Sequence, residues 1–467
     1  MNIIDTTKDK KLFLKWFQSQ SWQPWIVFLK ALFAISIKDG EQELFTKHTG
    51  RSAFPAIPSR EAWVIAGRRG GKSLIAAFVA VYQACFKVYD SFLAPGELAT
   101  VMVIAADRRQ ARVVMRYIMG LIESVAMLRA MVVRRTRETV ELNNRVVIEV
   151  HTANFRAIRG YTIAAAICDE IAFWRSDESA NPDTEIINAL KPGLLTIPNS
   201  LLLCISSPYA RRGALWEAYS RHFGKDGDSV LVWKAPTRDM NPTITEEDLK
   251  QPYEDDESRA RAEYGAEFRS DIELYVSRES LEAVRIPHRV ELPYFKQFEY
   301  FAFVDPSGGQ HDSMTMAIAH RENGCTVLDL MREAKPPFSP DNIVGNFALQ
   351  LQAYRISSVT GDRYGGQWPQ ERFRHHRIEY KVSTLTKSEI YRSMLPVINS
   401  GKVELLDDSR LFNQFLQLER RTGSAGREFV DHPPGGHDDV ANAAAGACLL
   451  ASGFGGPSGG ARKLTGF

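Results

Sequence analysis

Residues 62–65 are apolar and run straight into Ala66-Gly67-Arg68-Arg69-Gly70-Gly71-Lys72-Ser73, after which 74–84 continue as an apolar, helix-forming stretch. A strand, a glycine-dense turn and a helix in that order constrain the fold more than any other feature of the chain. Such a strand belongs to a crossover unit, and crossover units build parallel sheets with helices on their faces. The turn also carries chemistry. Glycines let the backbone curl until its N–H groups converge, the helix N-terminus favours negative charge, and a Lys-Ser pair adds an ammonium and a hydroxyl. These are the parts of a phosphate-binding loop. Gly67, Arg68, Gly70, Gly71, Lys72 and Ser73 would hold ATP, with Lys72 at the β- and γ-phosphates and Ser73 on Mg²⁺. The common pattern begins with glycine at position 66; here alanine stands there and glycine follows one place later.

Three further apolar runs, at 101–105, 163–168 and 201–205, read as buried strands separated by helical patterns. Residues 139–142 and 146–150, joined by Asn143-Asn144, read as a hairpin. The fold expected for the first half is therefore α/β with a mainly parallel sheet. The run 163–168 ends in Asp169-Glu170. Beside a phosphate loop, the first acid would hold the Mg²⁺ shell and the second would be placed as general base for an attacking water. Ser206-Ser207-Pro208 ends the next strand, where hydroxyls can sense the γ-phosphate or simply make a turn. Gln23, between Trp22 and Pro24, is placed to read an adenine or to serve structure alone. Arg159 could reach a neighbouring subunit's γ-phosphate as an arginine finger, with Arg156 and, in cis, Arg68 as competitors.

At 467 residues the chain suggests two domains with connections. Its 44% hydrophobic and 24% charged residues give the balance of a soluble globular protein, and no run is long enough for a membrane span. The charged start lacks a signal-peptide core, so the chain is expected to stay in the compartment where it is made. Five cysteines without CxxC spacing read as reduced packing residues. The net charge of +2 is uninformative, but arginines cluster at 108, 109 and 112, at 134, 135 and 137, and at 372, 374 and 377. Each cluster suits phosphate or a solvated face.

We expect an ATPase domain over 1–240, with a helical lead-in at 1–60, then a connecting subdomain over 241–292. A second α/β domain follows over 293–452, ending in a glycine-rich, flexible tail at 453–467. In the second domain the strand 301–304 leads into Asp305, the stretch to Asp312 turns into a strand at 314–319, and a strand at 356–359 leads to Asp362. His437-Asp438-Asp439 opens a helix of small residues at 440–450. Three acids on separate elements, each at a strand end or helix start, suit a pair of Mg²⁺ or Mn²⁺ ions about 3.5–4 Å apart that cut a phosphodiester. Asp438 would equally suit a helix N-cap.

In this order, the two constellations resemble the large terminase subunit of tailed double-stranded DNA bacteriophages, over residues 23 to about 450. The resemblance implies a P-loop ATPase joined to a nuclease of ribonuclease H-like fold. It implies nucleotide on Lys72 and Ser73, Glu170 as catalytic base, Arg159 as the trans-acting arginine, and nuclease metals on Asp305, Asp362 and Asp438, with Asp312 and Asp439 as helpers. Double-stranded DNA, a portal protein, a small terminase subunit and a ring of five subunits on the procapsid are the implied partners, in the host cytoplasm. A helicase–nuclease of repair or restriction shares the ATPase but would carry further helicase motifs.

Overall fold

The computed structural model describes residues 1–153, 158–176, 179, 181–310, 312–363, 367–422 and 428–453. Arg156, His311, residues 364–366 and the tail beyond 453 lie outside the described residues. The chain divides into two compact units, one of 1–175 and 181–270, the other of 176–180 and 271–467. The region 241–292 is shared between them.

The first unit is built on eight strands: β1 (Glu61–Ala66), β2 (Ala99–Ala105), β3 (Val132–Arg135), β4 (Thr139–Leu142), β5 (Val146–Thr152), β6 (Thr162–Asp169), β7 (Leu201–Ser206) and β8 (Val230–Ala235). Their order is β3-β4-β5-β2-β6-β7-β1-β8. The six strands from β5 to β8 are parallel, and β3 and β4 extend the edge antiparallel. Period-2 alternation divides β1 between two cores. Ala62, Val64 and Ala66 face the helices Gln23–Leu32 and Lys72–Phe86, while Trp63 and Ile65 face the helices Pro182–Leu190 and Gly213–His222. Burial on both faces explains why these strands read as continuous apolar runs. Strand β8 was not among the expected runs; it completes the edge beside β1. The aromatic region at 12–37 is interrupted. A short helix (Leu14–Phe17) and a single 3-10 turn precede Gln23–Leu32, whose first turn takes Pro24, where a missing N–H costs nothing.

The second unit carries a three-stranded sheet of β9 (Ile272–Leu274), β16 (Glu419–Thr422) and β17 (Glu428–Asp431), and a six-stranded sheet. The strands of the latter are β10 (Tyr300–Asp305), β11 (Met314–Glu322), β12 (Cys325–Ala334), β13 (Ser358–Gly361), β14 (Glu379–Val382) and β15 (Val403–Glu404), in the order β14-β13-β10-β11-β12-β15. β10, β11 and β12 form an antiparallel meander, and β13 and β14 continue parallel from β10. The small-residue helix Asp439–Ala451 lies directly on the sheet: a Cβ added at Gly446 would come within 2.4 Å of the Phe303 ring. Only glycine admits that approach. Among the described residues no helix is long and apolar enough to cross a membrane.

Candidate active sites

In the first unit, strand register brings the chemistry to one edge. Ile65 lies beside Ser206 and Ile205 beside Asp169, so the glycine loop, the paired acids and the serines all emerge at the C-terminal ends of neighbouring parallel strands. Open α/β sheets bind ligands at that edge. A Cβ at Gly67 would sit 2.2 Å from Thr237 Oγ1 and 2.7 Å from the Tyr264 carbonyl, which excludes any larger residue. The loop then turns through positive φ at Arg69 (63°) and Gly71 (90°). Side chains from residues 237–263, which straddle the boundary expected at 240, hold it from outside. Thr237 Oγ1 donates to the Arg68 carbonyl at 2.8 Å, Asn241 Nδ2 to the Arg69 carbonyl at 2.9 Å, and Arg68 pairs with Glu263 at 3.5 Å. From the N-terminal side Trp25 Nε1 donates to the Gly70 carbonyl at 2.7 Å. Thr237, Asn241 and Glu263 were not visible as part of the site in the sequence, because they lie far along the chain in stretches without a motif.

Lys72 is buried and directs its three N–H bonds to the carbonyls of Ala66 (2.8 Å) and Gly67 (3.1 Å) and to Ser207 Oγ (2.9 Å). Burial pulls its pKa down, against the pull of Glu170 and Asp169. An incoming phosphate anion would relieve that cost. Ser73 follows it in the first turn of the helix Lys72–Phe86. Asp169 is buried, and burial followed by the Glu170 charge pushes its carboxyl well above the usual range. Its Oδ1 has no hydrogen-bond partner among the described residues. A buried acceptor without a donor fits a cation held jointly with Ser73.

Glu170 has φ 51°, a left-handed conformation that a non-glycine residue adopts at a cost of about 1 kcal/mol or more. That turn swings its carboxylate to the serines. Glu170 Oε2 accepts from Ser206 Oγ at 3.1 Å and from the Ser207 N–H at 3.2 Å, and Oε1 lies 3.7 Å from Lys72 Nζ. The Ser206-Ser207 turn, ambiguous in sequence, thus touches both the base candidate and the loop lysine. Gln23, between two tryptophans that pack against Gly71, is exposed and donates to Glu41 Oε1 at 2.8 Å. Arg159 is exposed in the turn before β6, whose first residue, Thr162, lies about 23 Å from Asp169 at about 3.3 Å per residue. It thus precedes the end of β6 opposite to the one that carries the acids.

In the second unit β10 and β13 run parallel with Val304 beside Gly361, so Asp305 and Asp362 leave adjacent strands at the same level. Gly361 is required there: a Cβ would meet the Val304 carbonyl at 2.5 Å and Tyr380 Oη at 2.4 Å. Thr315, opposite Asp305 in the meander, donates from Oγ1 to the Asp439 carbonyl at 2.6 Å and anchors the helix start beside them. Asp305, Asp362, Asp438, Asp439 and Asp312 all line one cavity of about 620 Å³, with Arg363, Ser383, Thr384, Lys387, His432 and His437.

Asn442, one helical turn after Asp438, donates from Nδ2 to both Asp305 Oδ2 (2.9 Å) and Asp362 Oδ2 (2.5 Å). Burial and the Asp362 charge nevertheless push the Asp305 carboxyl well up, and burial raises Asp362 against the bonds from Asn442. Asp438 stands at the N-cap position but makes no capping hydrogen bond with its side chain. Its carboxylate faces Lys387 Nζ at 3.0 Å and Tyr391 Oη at 2.9 Å, two residues one turn apart on the helix Lys387–Asn399. Asp431 and His432 flank the same spot, and Lys387 also lies 3.0 Å from Asp431. Asp439 differs. Burial, then Asp438, raises its pKa to about 6, and its buried Oδ2 has no hydrogen-bond partner among the described residues. The pKa values of two crowded carboxylates, and of a third with an orphaned oxygen, stay raised despite Lys387, His437 and Arg410 nearby, which fits divalent cations. Lys387, Tyr391 and Asn442 were not identified from sequence.

Of the basic clusters, Arg135 pairs with Glu123 at 2.5 Å, Arg112 with Glu138 at 3.8 Å and Arg372 with Asp341 at 3.0 Å, all at the surface.

No protein-family model and no curated protein matches the chain. Solved structures do. The large terminase of bacteriophage HK97 is 16% identical, with 88% of this chain and 95% of that chain covered and a TM-score of 0.40. The large terminase of a thermophilic bacteriophage, in complex with ADP, is 11% identical over 84% of this chain and 94% of its own, with a TM-score of 0.38. The large terminase nuclease of the thermophilic phage G20c with bound magnesium is 16% identical over 36% of this chain and 93% of its own, with a TM-score of 0.31. These three solved structures are large terminases of bacteriophages or the nuclease part of one.

Proposed function

We propose that the chain is the large subunit of a viral DNA-packaging terminase, whose first unit hydrolyses ATP to drive double-stranded DNA into a procapsid and whose second unit cuts the concatemeric DNA. The observation that carries this reading is the coexistence of two acid constellations in one chain. One is bound to a phosphate loop through Lys72, Glu170 and Ser207; the other gathers Asp305, Asp362 and Asp439 around a polar cavity.

At the loop, Lys72 would leave its backbone acceptors for the β- and γ-phosphates, and Ser73 and Asp169 would hold Mg²⁺. Glu170 would take the proton of the attacking water, its carboxylate kept in place by Ser206 and Ser207. When the phosphates leave, Lys72 is free to return to Ser207, which gives the serine turn a means to register the loss. Arg159, before the end of β6 opposite the acids, would serve the site of a neighbouring subunit in a ring, expected to be a pentamer; Arg68 is the arginine present in cis.

In the nuclease, Asp305, Asp362 and Asp439 would hold Mg²⁺ or Mn²⁺ ions, with Asp438 beside them on Lys387. Bound cations of this kind generate hydroxide and stabilise the leaving oxygen. The chain's own residues position the acids: Asn442 holds Asp305 and Asp362 together, and Lys387 with Tyr391 fixes Asp438. Portal protein and a small terminase subunit are the proposed partners, in the host cytoplasm and transiently at the procapsid. Supercoiled plasmid incubated with Mn²⁺ is the test. The full chain should nick and linearise it, and Asp305→Ala should spare it while hydrolysing ATP at the normal rate. Equal cutting by Asp305→Ala refutes the nuclease assignment.

A further inference from the structure

Gln23 lies between two tryptophans that both rest on the phosphate loop. A Cβ at Gly71 would be 3.1 Å from Trp25 Nε1 and 3.3 Å from the Trp22 ring, and Trp25 is hydrogen-bonded to Gly70. The Gln23 side chain is exposed, and one end of its amide is already engaged. Nε2 donates to Glu41 Oε1, and Glu41 in turn is paired with Lys30; both members of that pair are buried. An ion pair buried on two helix faces of a small lead-in is an unfavourable way to hold them together, because burying it has a large desolvation cost.

We infer that the Lys30–Glu41 pair sets the base specificity of the nucleotide site by fixing which way the Gln23 amide points. The inference rests on the reading that this loop binds a nucleoside triphosphate. A carboxylate only accepts, so Glu41 can face only the NH₂ end of the amide. Lys30 keeps Glu41 ionised, which removes the alternative of a protonated carboxyl that donates. With one Nε2 proton given to Glu41, Gln23 keeps Oε1 and its second N–H to offer to a base. Adenine offers the matching edge, an amino donor beside a ring-nitrogen acceptor. Guanine offers two acceptors there, and its O6 would face Oε1 without a proton between them. The Glu41 carboxylate also accepts from the Lys38 N–H as a helix cap, but a cap needs only an acceptor, which an amide oxygen supplies as well.

The test compares ATP with GTP in steady-state hydrolysis by the full chain. The wild type should prefer ATP in kcat/KM by about 5- to 150-fold, the range of one good bidentate base contact. Glu41→Gln lets the Gln23 amide adopt either orientation, so the ratio should fall close to one through a higher KM for ATP, with kcat at saturation retained. The double variant Lys30→Met/Glu41→Met removes both charges at similar volume and should lose the preference equally, whether or not the single variant folds. In a Gln23→Ala background Glu41→Gln should change the ratio no further, since the two act as one unit. An undiminished ATP preference in either charge variant overturns the inference and leaves nucleotide binding intact, as does a wild type that treats ATP and GTP alike. A wild type that hydrolyses neither overturns the nucleotide reading itself, and the inference with it.

Discussion

Replacing Asn442 with alanine removes one NH₂ group that two acids share. Its Nδ2 now serves Asp305 and Asp362 together, at 2.9 Å and 2.5 Å. Hydrogen bonds to charged groups contribute about 1.5–3 kcal/mol each, so the pair of them represents a few kcal/mol of restraint on two carboxylates that repel one another. Water entering from the cavity would recover part of it. The remainder is the cost of bringing the acids back to one place when a cation binds. Residues that orient metal ligands typically change affinity by about 10–100-fold, or about 1.4–2.8 kcal/mol, which is within what the two bonds supply. The Mn²⁺ concentration for half-maximal plasmid cutting by Asn442→Ala should therefore rise by about 10–100-fold, with ATP hydrolysis unaffected. Isothermal titration of Mn²⁺ into each protein reads the same quantity without DNA. An unchanged Mn²⁺ dependence, in a variant that is folded by calorimetry, would refute the role assigned to Asn442.

Gly446→Ala drives a methyl into the Phe303 ring and should destabilise the second unit by about 1–3 kcal/mol, read as a lower calorimetric midpoint that Phe303→Leu restores. The acid site also makes stability depend on pH. Asp439 is raised in the fold from an ordinary 3.8 to about 6, worth about 3 kcal/mol, and Asp305 and Asp362 are shifted the same way. A raised carboxyl costs nothing while both states are protonated, and its full cost is present once pH exceeds the folded value. Metal-free protein should thus lose stability from these groups between about pH 4 and 6, and the gain in melting temperature on adding Mn²⁺ should grow over that window. A Mn²⁺ shift as large at pH 5 as at pH 7 would contradict this. Trp25→Phe removes the bond to the Gly70 carbonyl, about 1 kcal/mol, and should raise the KM for ATP about fivefold while leaving kcat unchanged.

The strands that place the chemistry were legible because they are buried on both faces and read as unbroken apolar runs. β1, β2, β6 and β7 each extend the expected run by no more than two residues at either end. Asp169 and Asp305 were legible for the same reason, as acids at the abrupt end of such runs; the strand before Asp362, expected at 356–359, is mixed in composition and lies two residues later, at Ser358–Gly361. β12 was not legible. Its sequence carries Asp329, Arg332 and Glu333, and Asp329 is fully buried against His320, a pairing that only the neighbouring strand supplies. Asn442 was hidden by its surroundings, since an asparagine in a helix of alanines reads as filler until Asp305 and Asp362 are placed beside it. Lys387 and Tyr391 belong to the site through a helix about 50 residues upstream of Asp438. In the first unit Thr237 and Asn241 clamp the loop from either side of the boundary expected at 240, in a stretch that carries no motif.

Diffraction at the manganese absorption edge from crystals soaked in Mn²⁺ with a non-hydrolysable ATP analogue addresses the central claim, that one polypeptide holds two separate cation sites. Anomalous density should appear beside Ser73 and Asp169 at the nucleotide, and independently among Asp305, Asp362 and Asp439. Manganese at the loop alone, with the second cavity empty at saturating Mn²⁺, would leave an ATPase without the nuclease proposed for it.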